Sequence, residues 1–333
     1  MLLPVSLIAI TLGVSIGSAD ISFSDTVRVV ICKIFGFALP DGIGESAAAI
    51  IWKLRLPRVL LAFLTGAAMS VGGAVAQSVL GNPLASPYTL GVSSGASLGA
   101  AIVTVLGISI GFAGQMSLAL VGTVFAVLTV AVCLTIASGI DKNVRSATIV
   151  LLGMVLSLFL SAVFTLISGL SKDKMTLLIR WQMGSFGSKG WETVGVLAIC
   201  SVICISIIIF YSKELDIMSF GDESAEAIGV NVKKTKTVLL LMMAVLTGTA
   251  VSFAGVIGFL DLIAPHIARR IFSPKHKYLC PASALLGGSF MVAADLVSRM
   301  IIKGAELPVG AVTAFIGAPF FAWIYFSRRK SHD

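Results

Sequence analysis

The chain has 333 residues, of which 57% are hydrophobic and 12% charged, with a net charge of +8 and a mean hydropathy of +1.02. Soluble domains carry about 25% charged residues, so lipid rather than water is the main solvent here. The positive charge lacks the interleaved aromatic and basic residues of a nucleic-acid binder, and loops flanking membrane spans account for it.

A helix needs roughly 20 apolar residues to cross about 30 Å of hydrocarbon. Apolar runs fall near residues 2–19, 56–79, 91–107, 113–138, 146–169, 191–211, 236–251, 254–271, 281–302 and 308–326. They predict an all-α polytopic membrane protein of about ten helices, forming one transmembrane domain over 1–333, because lipid leaves an open chain no other spanning structure. The runs at 91–107 and 236–251 are short and rich in small residues, and are expected to be partly broken. The first run ends "SIGSAD", like a cleavage site, but no Lys or Arg precedes Arg28. Without a basic n-region it reads as a first span.

In chain order, "RLPRVLLAFLTGAAMSVGGAVAQ" (55–77) starts with Arg55 and Arg58 around Pro57. Two arginines oppose the dipole of the helix they open, which leaves interfacial anchoring or pairing with a partner's carboxylates as their reason. "LGNPLASPYTLG" (80–91) contains Pro83 and Pro87, which prevent continuous helix; an ordinary turn and a constriction both fit. "GVSSGASLG" (91–99) spaces Gly91, Gly95 and Gly99 four apart, beside Ser94. Such a stripe lets helix backbones approach closely, as plain packing or beside a conduit. Hydroxyl, small and Met residues such as Met154 supply a conduit wall without fixed charge.

"RWQMGSFGSKGW" (180–191) carries interfacial Trp residues, and Gly184 and Gly187 break it into a half-helix at the outer mouth. "SFGDESAEAIGV" (219–230) puts Asp222, Glu223 and Glu226 into a short helix that Gly221 starts and Gly229 ends, with Ala225 and Ile228 free to enter a groove. "GVIGFLDLIAPHIARR" (255–270) buries Asp261, expected to pair with a basic neighbour rather than hold an ion; His266 lies near a helix end. Cys32, Cys133, Cys200, Cys204 and Cys280 are scattered packing residues without redox or zinc spacing, so neither metal nor cofactor is expected.

With the N-terminus inside, Lys142, Arg145, Lys213, Lys233, Lys234, Lys236, Arg269, Arg270, Lys275, Lys277, Arg328, Arg329 and Lys330 cluster at cytoplasmic span ends. That favours both termini in the cytoplasm. The chain lacks GxxxxGK[ST], HExxH, GxSxG and paired catalytic carboxylates, so it is not expected to be an enzyme. With few charges deep in its spans, its energy source is expected on another chain.

The stretch "LRLPRVLLAFLTGAAMSVGGAVAQSVLGNPLASPYTLGVSSGASLGA", with "WQMGSFG", "GDESAEAIGV", "GFLDLIAPHIARR" and "ADLVSRMIIKGAELPVGAVTAFIGAPFF", resembles the membrane subunit of iron-chelate and vitamin B12 ABC importers, in order over about residues 50–326. The resemblance implies the type II importer permease fold in a prokaryotic plasma membrane, working as a homodimer with two copies of a separate ATPase below and one solute-binding protein outside. It places ATPase coupling at about 214–231, on Gly221, Asp222, Glu223, Glu226 and Gly229. It places the cytoplasmic gate at Asn82, Leu84, Ser146 and Ala147, and the docking arginines at Arg55, Arg58 and Arg299. The implied cargo is a metal chelate, with ferric siderophores ahead of haem and cobalamin. Asp261 departs from the family's usual glycine, and the segment before the first span is nearly absent. A stand-alone secondary transporter or channel, which leaves 219–230 dispensable, and a scaffold without transport, which predicts neither ATPase nor chelate dependence, are the other readings.

Overall fold

The computed structural model describes residues 2–17, 21–39, 43–108, 114–141, 145–302 and 304–329, with side chains except at 114–115 and 323–329. Lys142, Lys330 and the end of "SIGSAD" lie outside the described residues. Among the described residues the ordered elements are all helical: α1 (Leu2–Ser15), α2 (Phe23–Phe35), α3 (Glu45–Ala49), α4 (Leu56–Val79), α5 (Val92–Leu106), α6 (Gly114–Ile140), α7 (Ser146–Leu170), α8 (Lys172–Met183), α9 (Trp191–Phe210), α10 (Ser212–Met218), α11 (Asp222–Ala227), α12 (Val232–Ala254), α13 (Leu260–Ile271), α14 (His276–Met300) and α15 (Val309–Arg329). A π-helical turn, Ile50–Arg55, joins α3 to α4, and a 3₁₀ turn, Pro87–Leu90, precedes α5.

Among the described residues six helices are long and apolar enough to cross a membrane, those ending with α4, α6, α7, α9, α12 and α14. Three shorter apolar helices, α1, α5 and Val309–Ala322 of α15, add to these, and the 12-residue α13 between α12 and α14 completes the expected ten. The expected breaks at 91–107 and 236–251 do not occur. Helix α12 runs unbroken for 23 residues and α5 for 15, because small residues favour close packing without weakening a helix that has neighbours on several sides.

The interruption lies at 255–259, between α12 and α13, where Gly255 has φ 83° and Phe259 φ 70°. Irregular backbone at membrane depth survives only where protein supplies its hydrogen bonds. Here Val256 N–H donates to Gln182 O at 3.3 Å, Ser185 N–H to Ala254 O at 2.9 Å, and Ile257 N–H to the Tyr88 hydroxyl at 3.3 Å. The end of α8 and the turn before α5 thus complete this stretch.

Helix α4 is the centre of the packing and buries most of its length against α14, α12, α13 and α9. Its glycines set how close those neighbours come. A Cβ at Gly66 would collide with Gly287 O on α14, at Gly72 with Thr247 on α12, and at Gly73 with Asp261 O on α13. Dispersion between closely apposed backbones, not expulsion of water, holds such contacts in lipid.

Candidate coupling and docking sites

At one end of the bundle, Gly221 (φ 108°) opens α11 and Gly229 (φ 97°) closes it, conformations that cost glycine little and other residues more. Asp222 and Glu223 occupy the first turn, where carboxylates complement the free N–H groups. Ala225 does not offer itself to a groove as expected: it is buried against Met218 and Val232, and so ties α11 to α10 and α12. The exposed apolar groups are Ile228 and Phe220, 71% and 82% accessible. Arg145, Phe220, Gly221, Asp222, Glu223, Ser224 and Glu226 together line an open cleft.

The turn after α4 lies at the same end. Asn82 Oδ1 accepts from Leu84 N–H at 2.9 Å, and Asn82 N–H donates to Gln77 O at 3.0 Å. Leu84 stands exposed at its tip. Ser146 starts α7 and its hydroxyl reaches Val79 O at 3.5 Å, so the structure brings the start of α7 to the end of α4; Ala147 points outward.

Among the described residues Asp261 has no basic partner. Its Oδ2 accepts from the Ser86 hydroxyl and its Oδ1 has no hydrogen-bond partner, although the residue is buried. Arg269, two turns on, faces Gln77 and Ser78 instead. The geometry of α13 explains the failed expectation: Asp261 sits in its first turn and Arg269 in its last, and the Gln77 side chain of α4 lies between them, accepting from Arg269 and reaching the Asp261 carbonyl at 3.5 Å.

At the other end, the three arginines turn inward. Arg58 donates from Nε (3.0 Å) and Nη2 (2.9 Å) to Asp295 Oδ1, and from Nη1 (2.6 Å) and Nη2 (3.1 Å) to Glu306. Arg299 Nε lies 3.2 Å from Asp295 Oδ2 while Nη2 donates to Gly13 O at 2.9 Å. Arg55 is buried and donates to Val14 O and Ser15 O at 3.2 and 2.9 Å. The arginine fork matches carboxylate geometry, and Asp295 is wholly buried between two guanidinium groups. Arg58 holds the Glu306 carboxyl below its usual range.

Gly95 and Gly99 meet α6, where a Cβ would come within 2.7 Å of Phe125 O and 2.9 Å of Val121 O respectively; Gly91 (φ 82°) sits against Thr129. Ser94 pairs with Ser161 of α7 at 3.1 Å, and Met154 is exposed on α7. The five cysteines are free thiols.

Sequence reasoning passed over Asp216, Lys236, His276, Asp295 and Glu306 as site residues, although Lys236, Asp295 and Glu306 are held in ion pairs and His276 is hydrogen-bonded to Asp216. Asp295 and Arg299 stand four apart in the helix "ADLVSR", a spacing that signals a same-face pair. The others meet partners distant in sequence and leave no such signal.

Residues 5–327 match the FecCD transport family. The cobalamin import system permease protein BtuC of Halobacterium salinarum is 37% identical over 87% of this chain and 77% of its own length. The Fe(3+)-citrate import system permease protein YfmE of Bacillus subtilis is 35% identical over 87% of this chain and 86% of its own. A metal-chelate type ABC transporter, solved in an inward-facing conformation, superposes with a TM-score of 0.84 at 27% identity, covering 98% of this chain and 97% of that one. The chain therefore belongs to the FecCD transport family, as a multi-pass membrane permease subunit of an ABC importer.

Proposed function

We propose that two copies of this chain form a central path for a metal chelate, with an ABC ATPase seated on each α11 and a solute-binding protein at the arginine end. The observation that carries the reading is α11 itself: a glycine-bracketed acidic helix, flanked by exposed Phe220 and Ile228, at the same end as the turn at 80–86. A partner groove that takes the two apolar side chains and meets Glu223 and Glu226 with cations fits this surface. That end faces the cytoplasm, where ATP is found, and both termini share its side.

The dimer is supported by α7. Its exposed Leu151, Met154, Val155, Leu158 and Phe159 recur at helical spacing, a full apolar face that one copy leaves uncovered. Facing its twin across the path, Met154 with Ser94 beside it gives an uncharged wall on which bulky cargo slides, while Gly91, Gly95 and Gly99 seat α5 against α6 behind it. Ferric siderophores come first as cargo, with haem and cobalamin next.

Docking outside would work by exchange. Arg58 already holds Glu306, so a carboxylate of the binding protein reaches Arg58 by displacing that side chain. Arg55 and Arg299 shape the same end from beneath. Co-purification with the ATPase encoded beside this gene tests the reading, using the native chain and Glu223→Lys. A complex lost in the variant is expected; no complex with the native chain would overturn the assignment of α11.

A further inference from the structure

Two polar chains leave the α10–α11 segment and finish on one turn. In the first, Lys236 near the start of α12 is fully buried, and its ammonium donates to Asp222 Oδ2 at 2.5 Å and to Ser146 Oγ at 3.2 Å. Ser146 Oγ then reaches Val79 O at 3.5 Å. In the second, Asp216 of α10 accepts at Oδ1 from His276 N–H at 2.9 Å and lies 2.5 Å from the ring Nδ1. His276 Nε2 meets Ser78 Oγ at 2.6 Å, and Ser78 Oγ accepts from Arg269 Nη2 at 3.3 Å.

With the His276 proton placed on Nδ1, toward the carboxylate, Nε2 accepts from the Ser78 hydroxyl. The order Asp–His–Ser is that of a hydrolytic triad. Here Arg269 engages the same serine oxygen, and Ser78 closes the last turn of α4, so the arrangement holds rather than attacks. Arg269 also donates to Gln77 Oε1. The carbonyls of Gln77 and Ser78 in turn accept from Asn82 N–H at 3.0 Å and Gly81 N–H at 3.3 Å, the bonds that shape the turn.

Both chains therefore end on residues 77–82. Lys236 is fully buried while the Asp222 side chain is 36% exposed, so losing Asp222 would leave a buried ammonium with Ser146 in place of a carboxylate. Asp222 thus joins α11 to the starts of α12 and α7. We infer that Lys236 and His276 are positioning residues that tie movement of α10–α11 to the turn at 80–86. The inference rests on the ATPase seat proposed above and names the side chains through which that seat reaches the gate.

The test uses the chain with its five native cysteines replaced by alanine, an environment-sensitive fluorophore on Leu84→Cys, and the ATPase encoded beside it, in lipid nanodiscs and proteoliposomes. Four forms are compared: the native side chains, Lys236→Met, Lys236→Arg, and the paired Ser78→Ala/Ser146→Ala. The serine pair keeps Lys236 on Asp222, His276 on Asp216 and Arg269 on Gln77, so it removes the far ends of the two chains and, with them, the Arg269–Ser78 bond. In the paired variant the ATPase is expected to co-purify, the nucleotide-dependent change at position 84 to vanish, and chelate moved per ATP to fall about 5- to 150-fold, the usual range of site-to-site coupling. Lys236→Arg should retain what Lys236→Met loses. A native response at position 84 in the paired variant overturns the inference. So does a loss of assembly alone, with an unchanged transport ratio in the assembled fraction, the mark of a merely structural role. If the ATPase fails to join even the native chain, the assignment of α11 falls first and takes the inference with it.

Discussion

Asp295 and Glu306 both bind Arg58, yet they should differ several-fold in their worth to stability. Asp295 lies with its side chain 1% exposed between Arg58 and Arg299, whereas the Glu306 side chain is 50% exposed. Asp295→Ala leaves two guanidinium groups facing a dry gap. Glu306 still holds Arg58 from outside and the Gly13 carbonyl still holds Arg299, but neither fills the centre. Breaking a buried pair from one side costs about 3–5 kcal/mol. Glu306→Gln removes a half-exposed partner, for which about 0–1 kcal/mol is the usual scale. SDS titration of the purified chain, followed by circular dichroism, measures both. The reasoning is refuted if Asp295→Ala costs under about 1 kcal/mol, or if the two substitutions cost the same, since the whole difference is assigned to burial.

Asp261→Asn should move the SDS midpoint little, because the amide keeps an acceptor for Ser86 and drops a buried charge but sets an NH2 group in the place of Oδ1; a fall above about 3 kcal/mol would show an unseen use for the charge. Gly73→Ala should cost about 1–3 kcal/mol by overpacking against the α13 backbone, while Gly139→Ala, which meets nothing within 4 Å, should be neutral or gain up to about 1 kcal/mol in helix propensity; equal effects would deny the α4–α13 contact its role. The pH dependence of the Glu306→Gln difference follows from the lowered carboxyl value. A carboxylate depressed on folding contributes above its unfolded value of 4.5 and loses that contribution as pH falls through its lower folded value. The difference between native and variant should thus be flat from neutral pH to about 5 and vanish only in stronger acid; a decline that begins near pH 6 would place the titration elsewhere.

Much of the fold is legible because lipid simplifies the code. Apolar length finds the helices, and the ends of α7 and α9 fall within a residue or so of the runs at 146–169 and 191–211. Glycine chemistry marks α11 for the same reason: Gly221 and Gly229 both take positive φ. Side-chain pairing is another matter. Arg58 meets Asp295 and Glu306 across more than two hundred residues, and His276 meets Ser78 across nearly as many. Nothing local in "LPRVLL" or "HKYLCP" announces those partners. Asp261 shows the converse: a nearby arginine invites a pairing by proximity in sequence, yet the α13–α4 contact sends Arg269 to Gln77. The break at 255–259 escapes notice because its glycines and aliphatics read as ordinary span, and Tyr88 and the end of α8 make it tenable from far along the chain.

The shortness of α13 carries a consequence for its relation to the surrounding bilayer. Its 12 residues reach about 18 Å at 1.5 Å per residue, against a hydrocarbon core of about 30 Å. Helices α4 and α14 pack along it and half of its residues are buried, so protein rather than lipid meets the missing length. Hydrophobic mismatch acts where lipid touches a helix, so α13 should keep its seat in vesicles of progressively longer lipids.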